Sequence, residues 1–201
     1  MNKVIAIDIN DTIRDNLLQF ANVYKKFRDN SFDMKEDEFE NFDLYEYTNF
    51  ENRDAYNNFK YVDCAFELYG RAEPMEKMLP YRFNDWVQNT MKDFEEEDVP
   101  EIIFVSPFEI GLTIQATLSF LSKISSRVRE YYFPVDSSTI WDKCDILITA
   151  NPNLLSNVPE GKTAIKIKMP YNQNVECEYE FDNMMALIND EETIINLIEK
   201  Q

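Results

Sequence analysis

The chain has 201 residues, of which 44% are hydrophobic and 14% aromatic, a composition typical of one folded domain with a sizeable core. Its formal net charge of -18 disfavours nucleic-acid binding through a basic patch and favours basic protein surfaces or cations as partners. The absence of His excludes Ser-His and Cys-His nucleophilic mechanisms and imidazole-based zinc sites, and 3 Gly are too few for a glycine-rich phosphate loop.

Five apolar runs rich in β-branched residues predict the strands of a sheet. Most of them are continuous instead of alternating, which is typical of strands covered on both faces of a parallel sheet. The predicted strands cover residues 4–8, 101–106, 128–135, 144–149 and 163–168. Helical spacings of apolar residues follow at 111–126, 182–188 and 191–199. This alternation favours an α/β fold with a doubly wound, five-stranded parallel sheet.

A long stretch between the first two predicted strands interrupts this alternation. The helices predicted there cover about residues 17–27, 61–69 and 82–92. The acidic run at 93–98 predicts a solvated loop. We therefore expect an α/β core formed by residues 1–13 and 99–201, with residues 14–98 inserted as a helical cap.

The segment 32–59 of this insertion interleaves aromatic residues with acids. Nine of its positions are aromatic or leucine: Phe32, Phe39, Phe42, Leu44, Tyr45, Tyr47, Phe50, Tyr56 and Phe59. That number exceeds what a small helical cap can readily bury, so we predict that some of these side chains face a protein partner. The alternative is that the rings fill the core between the cap and the sheet.

Cysteine usage and hydropathy indicate the compartment. Cys64, Cys144 and Cys177 are far apart without metal-ligand spacing, which favours isolated reduced thiols in a reducing compartment. The sequence has neither a signal peptide nor an apolar span of ~20 residues. We therefore expect a soluble intracellular protein with no membrane partner.

The first predicted strand ends in an acid-rich turn that contains Asp8, Asn10, Asp11 and Thr12. The turn resembles the first motif of the haloacid dehalogenase (HAD) superfamily, Asp-x-Asp-x-Thr, in which the first Asp attacks phosphorus and the second is the acid and base. The resemblance implies that Asp8 is placed as nucleophile and Mg²⁺ ligand, whereas Asn10 cannot exchange a proton near neutral pH. Asp11 could substitute from the next position. Alternatively, Asp8 and Thr12 only terminate the strand and cap the turn.

The end of the second predicted strand resembles the second HAD motif, which supplies a hydroxyl to the transferring phosphoryl group. Order, spacing and the insertion are most similar to the 5'(3')-deoxyribonucleotidase branch, where the strand ends in Thr-Ser-Pro. In that alignment Val105 occupies the hydroxyl position. In the general alignment Ser106 occupies it, but the following Pro107 has no backbone N–H to offer an oxyanion.

The third and fourth motifs lack their charged residues. The lysine expected about ten residues before the fourth motif falls on Thr139, while Lys143 is expected in a surface salt bridge and Lys162 lies beyond the fourth strand. Residues 145–152 follow the nucleotidase pattern Asp-Leu-Leu-Ile-Asp-Asp-Arg-Pro, but its paired metal-binding acids are replaced by Thr149 and Ala150. Mg²⁺ needs hard oxygen ligands in near-octahedral geometry, so the resemblance implies a poor metal site.

These departures predict a vestigial site made of Asp8, Asn10, Ser106 and Thr149, with no catalytic residue and no cofactor. We expect a catalytically inactive HAD-like structural or protein-interaction subunit of a homo- or hetero-oligomeric assembly such as a virion. The alternative is a Mg²⁺-dependent 5'-nucleotidase or small-molecule phosphatase that acts through an aspartyl-phosphate on Asp8, which would then also bind the metal. A third possibility is a non-catalytic sensor for a phosphorylated ligand.

Overall fold

The computed structural model describes residues 2–92, 94 and 99–199. Apart from Phe94, the acidic run at 93–98 that was predicted as a solvated loop lies outside the described residues. Within the described part of the chain, none of the helices is both long and apolar enough to cross a bilayer. Cys64, Cys144 and Cys177 are free thiols, and the first two are buried.

The centre of the molecule is a parallel sheet of six strands in the order β3-β2-β1-β4-β5-β6. The strands are Val4–Asp8 (β1), Glu101–Val105 (β2), Glu130–Tyr132 (β3), Ile146–Thr149 (β4), Thr163–Ile167 (β5) and Tyr179–Phe181 (β6). The predicted α/β class and all five predicted strands are confirmed. The predicted number of strands is wrong by one, because β6 is a three-residue edge strand without a continuous apolar run.

Side-chain alternation divides the core between the two faces of the sheet. On one face, Ile5 and Phe104 belong to a large apolar cluster that also contains the helices of the insertion. On the other face, Ala6 and Leu147 pack with Trp141 in a smaller cluster. The four inner strands are buried on both faces, which explains their continuous apolar sequences.

The helices cover both faces of this sheet. They are Asn16–Phe27 (α1), Arg53–Asn58 (α2), Leu79–Lys92 (α3), Leu112–Ile124 (α4), Pro152–Leu155 (α5), Met184–Asn189 (α6) and Glu191–Glu199 (α7). The helix α3 packs against α4, α6 and α7, and its Phe83 stacks on Phe104 of β2 with ring centroids 5.5 Å apart. The helix α3 lies within the predicted cap, yet it packs directly on the sheet. The boundary between core and cap at residues 98 and 99 stays a prediction.

The acidic-aromatic segment 32–59 forms an internal ring cluster. Each of its nine aromatic or leucine side chains is buried or half-buried and packs in the main core. Tyr24 of α1 is the hub, with the rings of Phe32, Phe50 and Phe59 4.8, 5.7 and 6.1 Å away. These contacts favour the alternative that the rings fill the core, and that some of the half-buried rings face a partner stays a prediction. Short 3₁₀ and π-helical turns fold the segment back on α1 and let a small volume hold many rings.

Candidate active site

A cavity of about 410 Å³ lies at the carboxyl ends of the central strands. Its lining includes Asp8 from the end of β1, Glu109 from the loop after β2 and Asn151 from the loop after β4. The insertion supplies the opposite wall, through residues that include Lys60 and Tyr61. The strand order reverses between β1 and β4, which is the place where ligands bind in open α/β sheets.

Asp8 lies at the floor of this cavity and is hydrogen-bonded to Thr149. Its side chain is 2% exposed, and its Oδ2 accepts a hydrogen bond of 2.7 Å from the Thr149 hydroxyl. Its Oδ1 has no hydrogen-bond partner among the described residues. Burial raises the pKa of Asp8 from 3.8 to about 7, although the bond from Thr149 opposes the shift. At neutral pH this carboxyl is therefore only partly ionised.

Asn10 occupies the position of the missing acid, and both the nitrogen and the oxygen of its carboxamide form hydrogen bonds. Its Nδ2 donates to Ser106 Oγ over 3.2 Å, and its Oδ1 accepts from Arg14 Nε and Nη2 over 3.1 and 2.5 Å. The four residues of the predicted vestigial site thus lie at adjoining strand ends, in the pairs Asp8–Thr149 and Asn10–Ser106. Their lack of a catalytic role stays a prediction.

A buried ion pair that the sequence reasoning missed organises the other side of the site. The fully buried Arg14 pairs with Glu109 over 2.6 Å and also donates to Thr117. Glu109 Oε1 accepts a second hydrogen bond of 2.8 Å, from Ser106. The guanidinium lies 4.8 Å from the centre of the Tyr69 ring. The one sequence signal for this network is a charged residue, Arg14, directly after the acid-rich turn of the first motif.

Removing the charge of Glu109 should destabilise the fold. In Glu109→Gln the Arg14 guanidinium stays buried without an anion, which costs about 3 kcal/mol in the free energy of unfolding. Urea denaturation measures the change. The exposed pair Arg71–Glu67 provides the matched control, because Glu67→Gln should cost less than about 1 kcal/mol. Equal effects of the two substitutions would show that the buried pair does not stabilise the site.

Asp11, considered above as a substitute acid, instead accepts hydrogen bonds from the first backbone N–H groups of α1, whose N-cap residue is Asp15. Its backbone is left-handed, with φ 55°, and its Oδ1 accepts from the backbone N–H groups of Asn16 and Leu17 over 2.9 and 3.0 Å. Its Oδ2 accepts from the Tyr171 hydroxyl over 2.9 Å. Burial raises the pKa of Asp11 to about 6, while these hydrogen bonds oppose the shift. The turn after β1 therefore uses Asp11 for structure.

The residues of the fourth motif have structural contacts. Asp145 accepts from the backbone N–H of Val4 over 2.9 Å and pairs with Lys162 over 3.2 Å, which ties β4 to β1 at the end away from the cavity. Asn151 caps α5. Lys143 lies 5.7 Å from the centre of the Tyr132 ring, and the ion pair predicted for it is not found among the described residues.

One lysine of the insertion does reach the cavity. Lys60, in the π-helical turn Phe59–Asp63, lies over the rings of Tyr61 and Tyr56, 5.0 and 5.5 Å from their centres. Sequence reasoning looked for a cation near the fourth strand and missed this one, because the fold of the insertion alone brings it to the site.

The oxygen donors at this site do not fit Mg²⁺. Among the described residues, no group of three or more Asp, Glu, Cys or His side chains converges on a point. Asp8 alone offers a carboxylate oxygen without a partner at the ends of β1 and β4, beside the Thr149 hydroxyl and the Ala150 methyl group. A small divalent ion needs more negative charge to give up its water shell.

Comparison with solved structures defines the class of fold. A protein described as a haloacid dehalogenase-like hydrolase from Burkholderia xenovorans LB400 aligns with a TM-score of 0.58 and 7% sequence identity, covering 96% of this chain and 98% of that one. The HAD-hydrolase YfnB from Bacillus subtilis, in a magnesium-bound structure, aligns with a TM-score of 0.54 and 11% identity, covering 95% and 99%. The chain therefore has the HAD-like fold. No family model and no curated protein matches it.

Proposed function

We propose that this chain is a HAD-fold protein without phosphoryl-transfer activity, and that it works as an interaction subunit of a larger protein assembly. The observation that carries the proposal is the state of Asp8. A nucleophile and metal ligand must be an unengaged, fully charged carboxylate, whereas Asp8 accepts a hydrogen bond from Thr149 and burial raises its pKa to about 7.

Two further features support the loss of activity. The position of the general acid and base holds Asn10, and its carboxamide is fixed between Arg14 and Ser106. The candidate replacement acids are also committed, since Asp11 accepts hydrogen bonds from the first backbone N–H groups of α1 and Glu109 pairs with Arg14. HAD phosphoryl transfer uses a metal, a charged clamp and an acid/base together, and acid–base work alone is typically worth ~10²–10⁴ in rate.

Apolar side chains on the loops at the cavity end of the sheet support an interaction role. Phe108, Ile110 and Leu112, after β2, and Val135, after β3, are about half or more exposed. The two loops are adjacent, because the Phe108 N–H donates to the Pro134 carbonyl over 2.9 Å. Exposed apolar groups on a chain of net charge -18 favour a protein partner. A virion is one such assembly, and the pattern at 145–152 favours descent from the nucleotidase branch.

The alternative is a Mg²⁺-dependent 5'-nucleotidase or small-molecule phosphatase that uses Asp8. What favours it is the cavity itself, because both Asp8 and a lysine of the insertion, Lys60, line it. In that case phosphate release would require Mg²⁺ and would disappear in Asp8→Asn.

Two measurements on the purified chain test the proposal. With millimolar Mg²⁺, phosphate release from nucleoside monophosphates and p-nitrophenyl phosphate should equal that of Asp8→Asn. The mass in solution, with and without co-purifying proteins, should exceed that of one chain, and Ile110→Asp with Leu112→Asp should reduce it. Leu18→Asp, at an exposed position of α1, is the control for surface charge. Turnover that depends on Asp8, or a monomer without partners, would overturn the proposal.

A further inference from the structure

The cavity contains two buried carboxylate oxygens without a hydrogen-bond donor. Asp8 Oδ1 and Glu109 Oε2 both belong to side chains that are 2% exposed and line the cavity, and neither atom has a partner among the described residues. A buried acceptor without a donor costs free energy, most of all when it carries charge. This part of the cavity is therefore suited to a group that donates several hydrogen bonds.

The other carboxylates of the lining are already satisfied. Asp11 accepts from Asn16, Leu17 and Tyr171. Asp43 forms a bidentate pair with Arg53, over 2.7 and 2.6 Å. Among the carboxylates of the lining, the oxygens without a donor therefore belong to Asp8, at the end of β1, and Glu109, in the loop after β2.

A cation without a carboxylate partner lies on the wall formed by the insertion. Lys60 is half-buried and contacts the faces of Tyr56 and Tyr61, but no described carboxylate lies within ion-pair distance of its ammonium. Aromatic rings hold a cation without neutralising it, so this wall is suited to an anionic group.

Aromatic rings also line this cavity. Phe42, Tyr56, Tyr61, Tyr69 and Phe108 all line the cavity, whose volume of about 410 Å³ is that of a small-molecule site. A ligand that carries a cationic group, an apolar part and an anionic group matches this lining.

We propose that the cavity binds a small zwitterion of the amino-acid class, with its ammonium group on Asp8 and Glu109 and its carboxylate toward Lys60. An ammonium group has three N–H donors, which is enough for both orphaned oxygens. A phosphate monoester would place a second anion against Asp8, and the described residues hold no group of three or more Asp, Glu, Cys or His side chains that could bind a metal between them. This binding site goes beyond the proposed role as an interaction subunit.

The test measures binding at pH 8 by thermal shift with each of the twenty standard L-amino acids, followed by calorimetry. We expect at least one amino acid to bind at a single site. Its N-acetyl derivative, which lacks the ammonium, and its amide, which lacks the carboxylate, should each bind at least ~10-fold more weakly. Phenyl phosphate should not compete. Failure of all twenty, equal binding of either derivative, or preferred binding of phenyl phosphate would overturn the proposal.

Two variants assign the contacts. Asp8→Asn should weaken the amino acid and its amide at least ~10-fold but leave the N-acetyl derivative unaffected, whereas Lys60→Met should weaken the amino acid and spare the amide. Lys162→Met, whose partner Asp145 lies away from the cavity, is the matched control and should bind normally. Circular dichroism confirms that each variant is folded. Unchanged affinity in both cavity variants would place the ligand elsewhere and contradict the assignment.

Discussion

Restoring the three missing acids should turn the site into a Mg²⁺ site. The triple variant is Asn10→Asp, Thr149→Asp and Ala150→Asp. Two of its new carboxylates lie next to Asp8, because they replace the Thr149 hydroxyl, 2.7 Å from the Asp8 carboxyl, and the methyl group of the following Ala150. Without metal, like charges meet in a buried site, so the variant should melt well below the natural chain. Millimolar Mg²⁺ should restore most of the loss, because it supplies the countercharge that hard oxygen ligands need.

Calorimetry and melting curves with and without Mg²⁺ measure this gain. The natural chain should show neither heat nor shift at the same concentration, and K⁺ should not replace Mg²⁺ in the variant. The triple variant with Asp8→Asn is the matched control, since it keeps the new acids and loses the original carboxylate. Comparable Mg²⁺ binding by the natural chain would show that the site never lost its metal.

Replacing Asp8 by Asn should stabilise the protein above neutral pH. Folding raises the pKa of this carboxyl from 3.8 to about 7 because burial disfavours its charged form. Between these pH values the folded state binds more protons than the unfolded one, so the free energy of unfolding falls as pH rises. Above pH 7 the full cost is present, on the order of 4 kcal/mol. Asp8→Asn removes this cost and should flatten the pH profile between about 4 and 7.

Urea denaturation at pH 5 and pH 8 measures the free energy of unfolding of Asp8→Asn and of the natural chain. The difference between the two proteins should be large at pH 8 and small at pH 5. Asp145→Asn is the control of opposite sign. The pKa of Asp145 is lowered in the fold, because hydrogen bonds from Val4 and Lys162 outweigh its desolvation, so this substitution should destabilise the protein at pH 8. A loss of stability in Asp8→Asn at pH 8 would mean that the charged carboxylate is favoured by the fold.

The sheet could be predicted where burial on both faces leaves a continuous apolar sequence. The strand β1 and its neighbours β2 and β4 meet this condition, and β6 does not, because an edge strand of three half-exposed residues has no such pattern. The insertion was harder to predict. Composition gave the number of rings in 32–59, but only the turns of the folded chain decide whether a ring faces Tyr24 or solvent.

Part of the site could also be predicted from the sequence. Parallel strands end at one edge of the sheet, so Asp8 and Thr149 had to meet once β1 and β4 were recognised. The pair Arg14–Glu109 joins residues 95 positions apart in two loops, and no periodicity reports such a contact. Lys60 likewise reaches the cavity through an irregular turn of the insertion.

The central place of β1 in the sheet also has a consequence for biosynthesis. Its register pairs Val4 with Glu101, and the hydrogen bond from Thr149 to Asp8 spans 141 positions. The strand β1 is synthesised well before its partners β2 and β4. At about 5–20 residues per second, a ribosome needs on the order of ten seconds to make them. The nascent chain therefore carries β1 as an unpaired, aggregation-prone strand until β2 and β4 have been made, and we expect chaperones that shield such strands to bind it during that interval.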